Sequence, residues 1–177
     1  PWEQARDLTR SWLGPEGPRA IFQAALEQWP LRLRVDILDR SRRMKWRLNS
    51  VRLSSGVADR HLDDLALQLL TARGAGLEVR EARLLTINRG CLLNGSLPAS
   101  ELFHIHDVTP EVEARARETP DIARLAALLE QPAEPPPQIG GHCLEPWDCE
   151  FLGTCWPEPS PDSVLSLPGL HGRHRRE

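Results

Sequence analysis

Three of the four cysteines, Cys143, Cys149 and Cys155, lie in the run GGHCLEPWDCEFLGTCWP, with five residues between neighbours. Thiolates are soft donors that suit tetrahedral zinc or an iron–sulfur cluster. The spacing is not the C-x2-C knuckle of common zinc folds. A metal staple is therefore the chemistry expected of this segment. His142, beside Cys143, is a candidate fourth ligand and keeps a Cys3His zinc site open. The remaining thiol, Cys91, reads as a small buried hydrophobe. His104 and His106 stand two apart and would share a strand face, but with no third ligand nearby they read as surface. RSRRMKWR, from Arg40 to Arg47, is the dense basic run before the tail. It could meet a phosphate backbone with Trp46 stacked on a base. The plainer reading is a solvated hairpin turn with Trp46 in the core.

The elements that would position these groups follow from periodicity. Trp2, Ala5, Leu8 and Trp12 recur at helical spacing, and Gly14-Pro15 ends that segment. Residues 21–26 are mostly apolar and leave helix and strand both open. Residues 31–37 alternate, which predicts a half-buried strand with Leu31, Leu33, Val35 and Ile37 inward and Arg32, Arg34 and Asp36 outward. A polar turn over 39–43 leads to a second strand over 45–53, most simply joined as a hairpin. Residues 61–73 carry Leu62, Leu65, Ala66, Leu69 and Leu70 on one helical stripe, with Asp59 as cap and Gly74 and Gly76 at the end. Strands are expected over 77–87, 91–93 and 101–108, with turns at Asn88–Gly90 and Asn94-Gly95. Thr109-Pro110-Glu111 and Thr119-Pro120-Asp121 read as helix starts capped by Thr. The second of these helices would turn Ile122, Leu125, Leu128 and Leu129 inward. This order predicts an α/β or α+β layered domain.

At 177 residues the chain fits one domain with a tail, and 40% hydrophobic content is enough for a core. No run of about 18 apolar residues marks a membrane span, and no signal peptide is recognisable. Four cysteines without export signals point to a reducing cytoplasm. The chain opens at Pro1 in helix-like sequence and reads as part of something longer, linked to further domains. A formal charge of −3 makes the whole molecule no general magnet for nucleic acid, so any polyanion site is local.

RVDIL on a strand, HLDDLALQ on a helix, then RGAGLEV and LLTINRG together resemble the RecB-type PD-(D/E)XK nucleases. The tail GGHCLEPWDCEFLGTCW, followed by SVLSLPGL, is similar to the iron–sulfur-stapled branch, which includes CRISPR-adaptation exonucleases and AddB-type repair nucleases. The nearest likeness is to proteins with a RecB-like half followed by an RNase-H-like half. The resemblance spans about residues 20 to 170. It implies a restriction-endonuclease-like core over 1–131, with a central mixed sheet flanked by helices. A Pro/Gly-rich linker over 132–141 and a cysteine-rich loop over 142–160 would follow. The tail, 161–177, is expected to be disordered from about Ser160 onward.

The resemblance implies a DNA-processing protein that hydrolyses phosphodiesters with Mg or Mn. In such a site two carboxylates hold a hard cation through oxygen and a Lys orients the attacking water. Asp36 matches the strand aspartate and metal ligand. The Glu-x-Lys position is occupied by Ser50-Val51-Arg52, Gln23 falls where a further acid is often found, and of Gln-x3-Tyr only Gln68 is kept, with Ala72 in place of Tyr. A neutral serine is a poor ligand, and a guanidinium does not lose its proton. Together these departures imply weak or lost activity and put the metal itself in doubt. Any remaining activity would use Asp36 as ligand, Arg52 for charge and Gln68 to position DNA. Glu78, Glu81, Asp63 or Asp64 could migrate into the site, although Asp63 and Asp64 read first as the solvent face of their helix. Read by itself, Asp36 is an exposed strand aspartate paired with Arg34. The competing function is a non-catalytic nucleic-acid-binding or scaffolding domain. The resemblance assigns Cys143, Cys149 and Cys155 to a [4Fe–4S] cluster whose fourth cysteine lies upstream, with zinc as the alternative.

Overall fold

The computed structural model describes residues 1–41, 45–92, 95, 100–119, 122–133, 136–137, 140–143 and 148–155. The chain divides into two compact units, Pro1–Leu129 and Glu130–Glu177. In the first unit α1 (Trp2–Trp12) precedes the strands β1 (Ala20–Gln28), β2 (Leu31–Arg40) and β3 (Trp46–Arg52). Helix α2 (Asp59–Gly74) leads to β4 (Val79–Ile87) and β5 (Phe103–Asp107), followed by α3 (Thr109–Glu118) and α4 (Ile122–Leu129). The five strands form one sheet in chain order. β3 and β4 are parallel and the other neighbours antiparallel. The expected α+β layering around a mixed sheet is therefore what this chain forms. The parallel pair is joined through α2, since parallel neighbours need a crossover long enough to return the chain.

The core lies between α2 and the sheet. Leu62, Leu65, Ala66 and Leu69 of the predicted stripe are buried, whereas Leu70 is only half-buried. They meet Val35, Leu38, Leu48 and Leu84 from β2, β3 and β4, all four fully enclosed. Cutting a side chain such as Leu65 to Ala in this setting costs about 2–5 kcal/mol. Residues 21–26 resolve as strand because they pair with β2 along their length, from Ile21 opposite Leu38 to Leu26 opposite Leu33. Helix α1 packs on this outer strand, and the edge amide of Ala25 donates to Thr9 Oγ1 at 3.0 Å. That bond removes one open donor from a sheet edge. Gly17 is fixed by its turn, because a Cβ there would lie 1.8 Å from the Trp12 carbonyl oxygen.

Several expectations need correction. The inward face of β2 is not a strict alternation: Val35 and Leu38 are both buried, while Ile37 is only half-buried. Residue 91 and residue 92 carry no strand, and Cys91 is half-buried where a buried residue was expected. Asp59 is the first helical residue of α2, and Ala58 is its N-cap; His61 Nδ1 accepts the Ala58 amide at 3.2 Å. Thr109 likewise lies inside α3, where its hydroxyl accepts the Ala82 amide and donates to Asp107. Helix α4 does not turn its apolar residues inward: Leu125, Leu128 and Leu129 are exposed. The hairpin turn at Arg42, Arg43 and Met44, the Asn94 turn, Pro120-Asp121 and the tail lie outside the described residues.

In the second unit a 3-10 turn, Gly141–Cys143, and the short helix α5, Leu152–Cys155, flank Cys149. The Cys149 amide donates to the Cys143 carbonyl at 2.8 Å and closes a loop between them.

Candidate functional site around Asp36

Asp36 stands where the sheet comes apart on both sides. Towards β3, paired residues run from Arg40 opposite Trp46 to Ile37 opposite Asn49 and stop there. The next amide of β3, Val51 N–H, donates to Asp36 Oδ2 at 2.8 Å, so a carboxylate replaces the ladder carbonyl. Ser50 Oγ donates to the same oxygen at 3.2 Å. Towards β1, the ladder skips the step between Phe22–Ile37 and Ala24–Val35. At that step Gln23 has φ +53°, a left-handed backbone that is uncommon outside glycine. The kink shifts the core-facing phase of β1 from Ile21 to Ala24 and Leu26 and turns Gln23 outward, where Nε2 lies 3.4 Å from Asp36 Oδ1. Side chains held in such sparsely populated conformations gather at functional sites.

Ser50 and Arg52 are two apart on β3 and share its face. Ser50 is fully buried, while the side chain of Arg52 keeps about a quarter of its surface in solvent. The guanidinium lies between two acids: Nη1 is 3.7 Å from Asp36 Oδ2 and Nη2 is 3.0 Å from Asp64 Oδ2. Asp64 projects from the second turn of α2, so the pair ties helix to sheet. Beside it opens a cleft of about 430 Å³ lined by Arg52, Leu53, Ser54, Arg60, His61 and Asp64. His61 is held below its ordinary pKa, first by burial and then by the positive charges of Arg60 and Arg52. With the imidazole neutral, the site carries two carboxylates and two guanidinium groups.

The structure thus brings Asp36, Ser50, Arg52 and Gln23 together, and adds Asp64. Asp36 is bound by β3 and Gln23 in place of the expected Arg34. No hydrogen bond joins Gln68 to this group among the described residues. Gln68 is buried on α2, and its Oε1 has no partner there. Glu78 is paired with Lys45 and Arg80, and Glu81 with Arg83, so neither has moved towards Asp36. Asp63 is held by Arg115 at 2.6 Å. Of the basic run, the described Arg40, Lys45 and Arg47 are all engaged within the fold. Arg40 stacks 4.5 Å over buried Trp46 and donates to the Leu13 carbonyl at the end of α1. Arg47 is paired with Asp39, to which Asn49 also donates. His106 lies 2.9 Å from Thr86 Oγ1, and the two histidine rings of β5 are 6.4 Å apart.

The donors around Asp36 do not fit a divalent cation. Such an ion needs several anionic or carbonyl oxygens converging on one point. Here the one carboxylate from the sheet spends Oδ2 on two donors, its neighbours are a hydroxyl and an amide, and a fixed cation stands beside it. Among the described residues no three His, Cys, Asp or Glu side chains gather into a metal-binding group. That includes Cys143, which is buried, and Cys149 and Cys155, which are half-buried.

Sequence reasoning passed over His61. Its signal was its place three residues after Ala58, from which a side-chain acceptor reaches back to the N-cap amide. Asp64 was one of four acids named as able to enter the site, but its pairing with Arg52 depends on how α2 lies against the end of β3. Among the described residues no helix is long and apolar enough to cross a membrane. No family model, curated protein or solved structure matches the chain.

Proposed function

We propose that this chain is a RecB-like PD-(D/E)XK nuclease-type domain that binds DNA without cutting it, as part of a larger DNA-processing protein. The observation that carries the reading is the convergence of Asp36, Ser50, Arg52 and Gln23 at one break in the sheet. These are the four strand positions that the family resemblance singles out, and they come from three strands. Their chemistry favours binding over hydrolysis. Only one carboxylate comes from the sheet, and Arg52 has no proton to exchange with an attacking water. Arg52 and Arg60 line the cleft and offer donors to phosphate oxygens, and guanidinium groups match phosphate geometry well.

The test is fluorescence anisotropy with labelled single- and double-stranded DNA, run beside a cleavage assay in Mn²⁺. Salt-sensitive binding with no products, weakened by Arg60→Ala, is the expected outcome. Products that vanish in Asp36→Ala would restore the nuclease reading. Absence of binding at low salt would remove DNA as the ligand.

For the second unit we infer an iron–sulfur or zinc site at Cys143, Cys149 and Cys155, supported by the donor chemistry of three closely spaced thiols. Iron and zinc analysis of anaerobically purified full-length protein, together with its visible absorbance, decides between the two. Protein that carries neither metal would leave the thiols as structure.

A further inference from the structure

The mismatch between the Asp36 group and a divalent cation has a specific cause. Arg52 reaches both acids of the site at once, Asp36 at 3.7 Å and Asp64 at 3.0 Å. It comes from β3, while its partners come from β2 and α2, so the ion pairs span three elements. A guanidinium stays charged across the working pH range and presents donors in a rigid planar fork. We propose that Arg52 is a built-in cation. It occupies the position that would otherwise neutralise Asp36 and Asp64, it keeps divalent ions out, and it makes phosphate binding in the adjoining cleft independent of metal.

Three features of the site agree. Asp36 Oδ2 already accepts from Val51 N–H and Ser50 Oγ, which leaves little of that oxygen for an incoming ion. A dication approaching either acid meets Arg52 at close range, with Arg60 on the cleft wall. Third, the cleft is lined by Arg52 itself, so the group that neutralises the acids also faces an entering phosphate. The exclusion of metal rests on this geometry alone; only the nature of the ligand rests on the DNA-binding reading.

The test has two arms. In the first, free Mn²⁺ is followed by electron paramagnetic resonance as it is titrated into the full chain. The wild type should show no Mn²⁺ binding that Asp36→Asn abolishes. Arg52→Gln should bind Mn²⁺ at least about tenfold more tightly than wild type, because a like charge has been removed from beside the acids. Arg52→Lys keeps the charge and should behave as wild type. In the second arm, DNA binding by the wild type should be the same in EDTA and in Mn²⁺, whereas Arg52→Gln should bind weakly in EDTA and recover when Mn²⁺ is added. Mn²⁺ binding by the wild type that is lost in Asp36→Asn would overturn the proposal, with no variant of Arg52 needed. So would wild-type DNA binding that requires a divalent ion, or folded Arg52→Gln that ignores Mn²⁺. If no DNA binds under any condition, the proposed ligand is wrong, and the Mn²⁺ titration still decides the role of Arg52.

Discussion

Introducing a carboxylate at Ser50 measures how strongly Arg52 holds this site together. Ser50 is fully buried, and its hydroxyl is 3.2 Å from Asp36 Oδ2. A carboxylate introduced by Ser50→Glu would lie at roughly 4 Å from that of Asp36, and two unit charges so placed repel by about 4 kcal/mol at the effective dielectric of a protein surface. Arg52 stands within reach of both and would offset a similar amount. Its side chain and that of Asp36 keep 27% and 29% of their surface in water, so solvent screening cuts each term to about half. Overpacking adds a further ~1–3 kcal/mol whether or not Arg52 is present. Ser50→Glu alone should therefore destabilise by this overpacking plus the cost of burying a carboxylate, and by about 2 kcal/mol more on an Arg52→Gln background. The coupling is about 2 kcal/mol, within the range measured for contacting residues. Urea unfolding of the wild type, both single variants and the double variant, followed by far-UV circular dichroism in EDTA, gives the cycle. A coupling within ~0.5 kcal/mol of zero would mean that Arg52 does not screen this pocket, and the built-in cation would lose its electrostatic basis.

Three further perturbations test other parts of the fold. Gln23→Gly should be more stable than Gln23→Ala by roughly 1 kcal/mol in chemical denaturation, since both lose the contact with Asp36 but only glycine relieves the left-handed backbone; equal stabilities would refute the strain. Thr9→Val should cost about 1–3 kcal/mol by leaving the buried Ala25 amide without its acceptor, with a fall in melting temperature as readout and no change if water replaces the hydroxyl. For His61, burial and the neighbouring arginines lower the folded pKa below the ordinary value of 6.5. The unfolded chain therefore binds the proton first as pH falls, and stability is lost from about 6.5 downward until the folded pKa is passed. His61→Gln should flatten that part of the stability profile, and an unchanged slope there would show that His61 does not set it.

Much of the layering was legible because it follows from local period. The stripe of α2 states which face is buried, and the alternation of β2 does so only through Leu33 and Val35, which pack in or against the core. What failed to show in sequence was decided between elements. Residues 21–26 became strand through pairing with β2, and their core face changes phase from Ile21 to Ala24 and Leu26 where Gln23 kinks the chain. Thr109 has the composition of a cap, yet the Ala82 amide of β4 competes for its hydroxyl and wins. The leucines of α4 carry a clean amphipathic pattern, but a pattern shows that a face is apolar and says nothing about what covers it. At the site, spacing states only that Ser50 and Arg52 share a face of β3, and it was the resemblance that implied their place beside Asp36. The engagement of Asp64 depended on the angle at which α2 leaves β3.

On the proposed reading, the site would depart from hydrolysis in a particular way. Phosphodiester cleavage asks for charge neutralisation, for polarisation of the attacking water and for support of the leaving oxygen, and a divalent ion can supply all three. A guanidinium supplies the first through fixed donors, and with its proton permanently held it does not generate a nucleophile. Exchanging a metal site for Arg52 would therefore separate affinity for the phosphate backbone from reaction at it. The Ser50 hydroxyl fits the same separation, since it bonds to Asp36 without adding a negative charge that Arg52 alone would have to balance. Asp36 and Asp64 together balance Arg52 and Arg60, so the group is close to neutral before any ligand enters the cleft. Its preference for phosphate should then come from donor geometry more than from net field, and a chain of net charge −3 can hold a polyanion only at a local site of this kind.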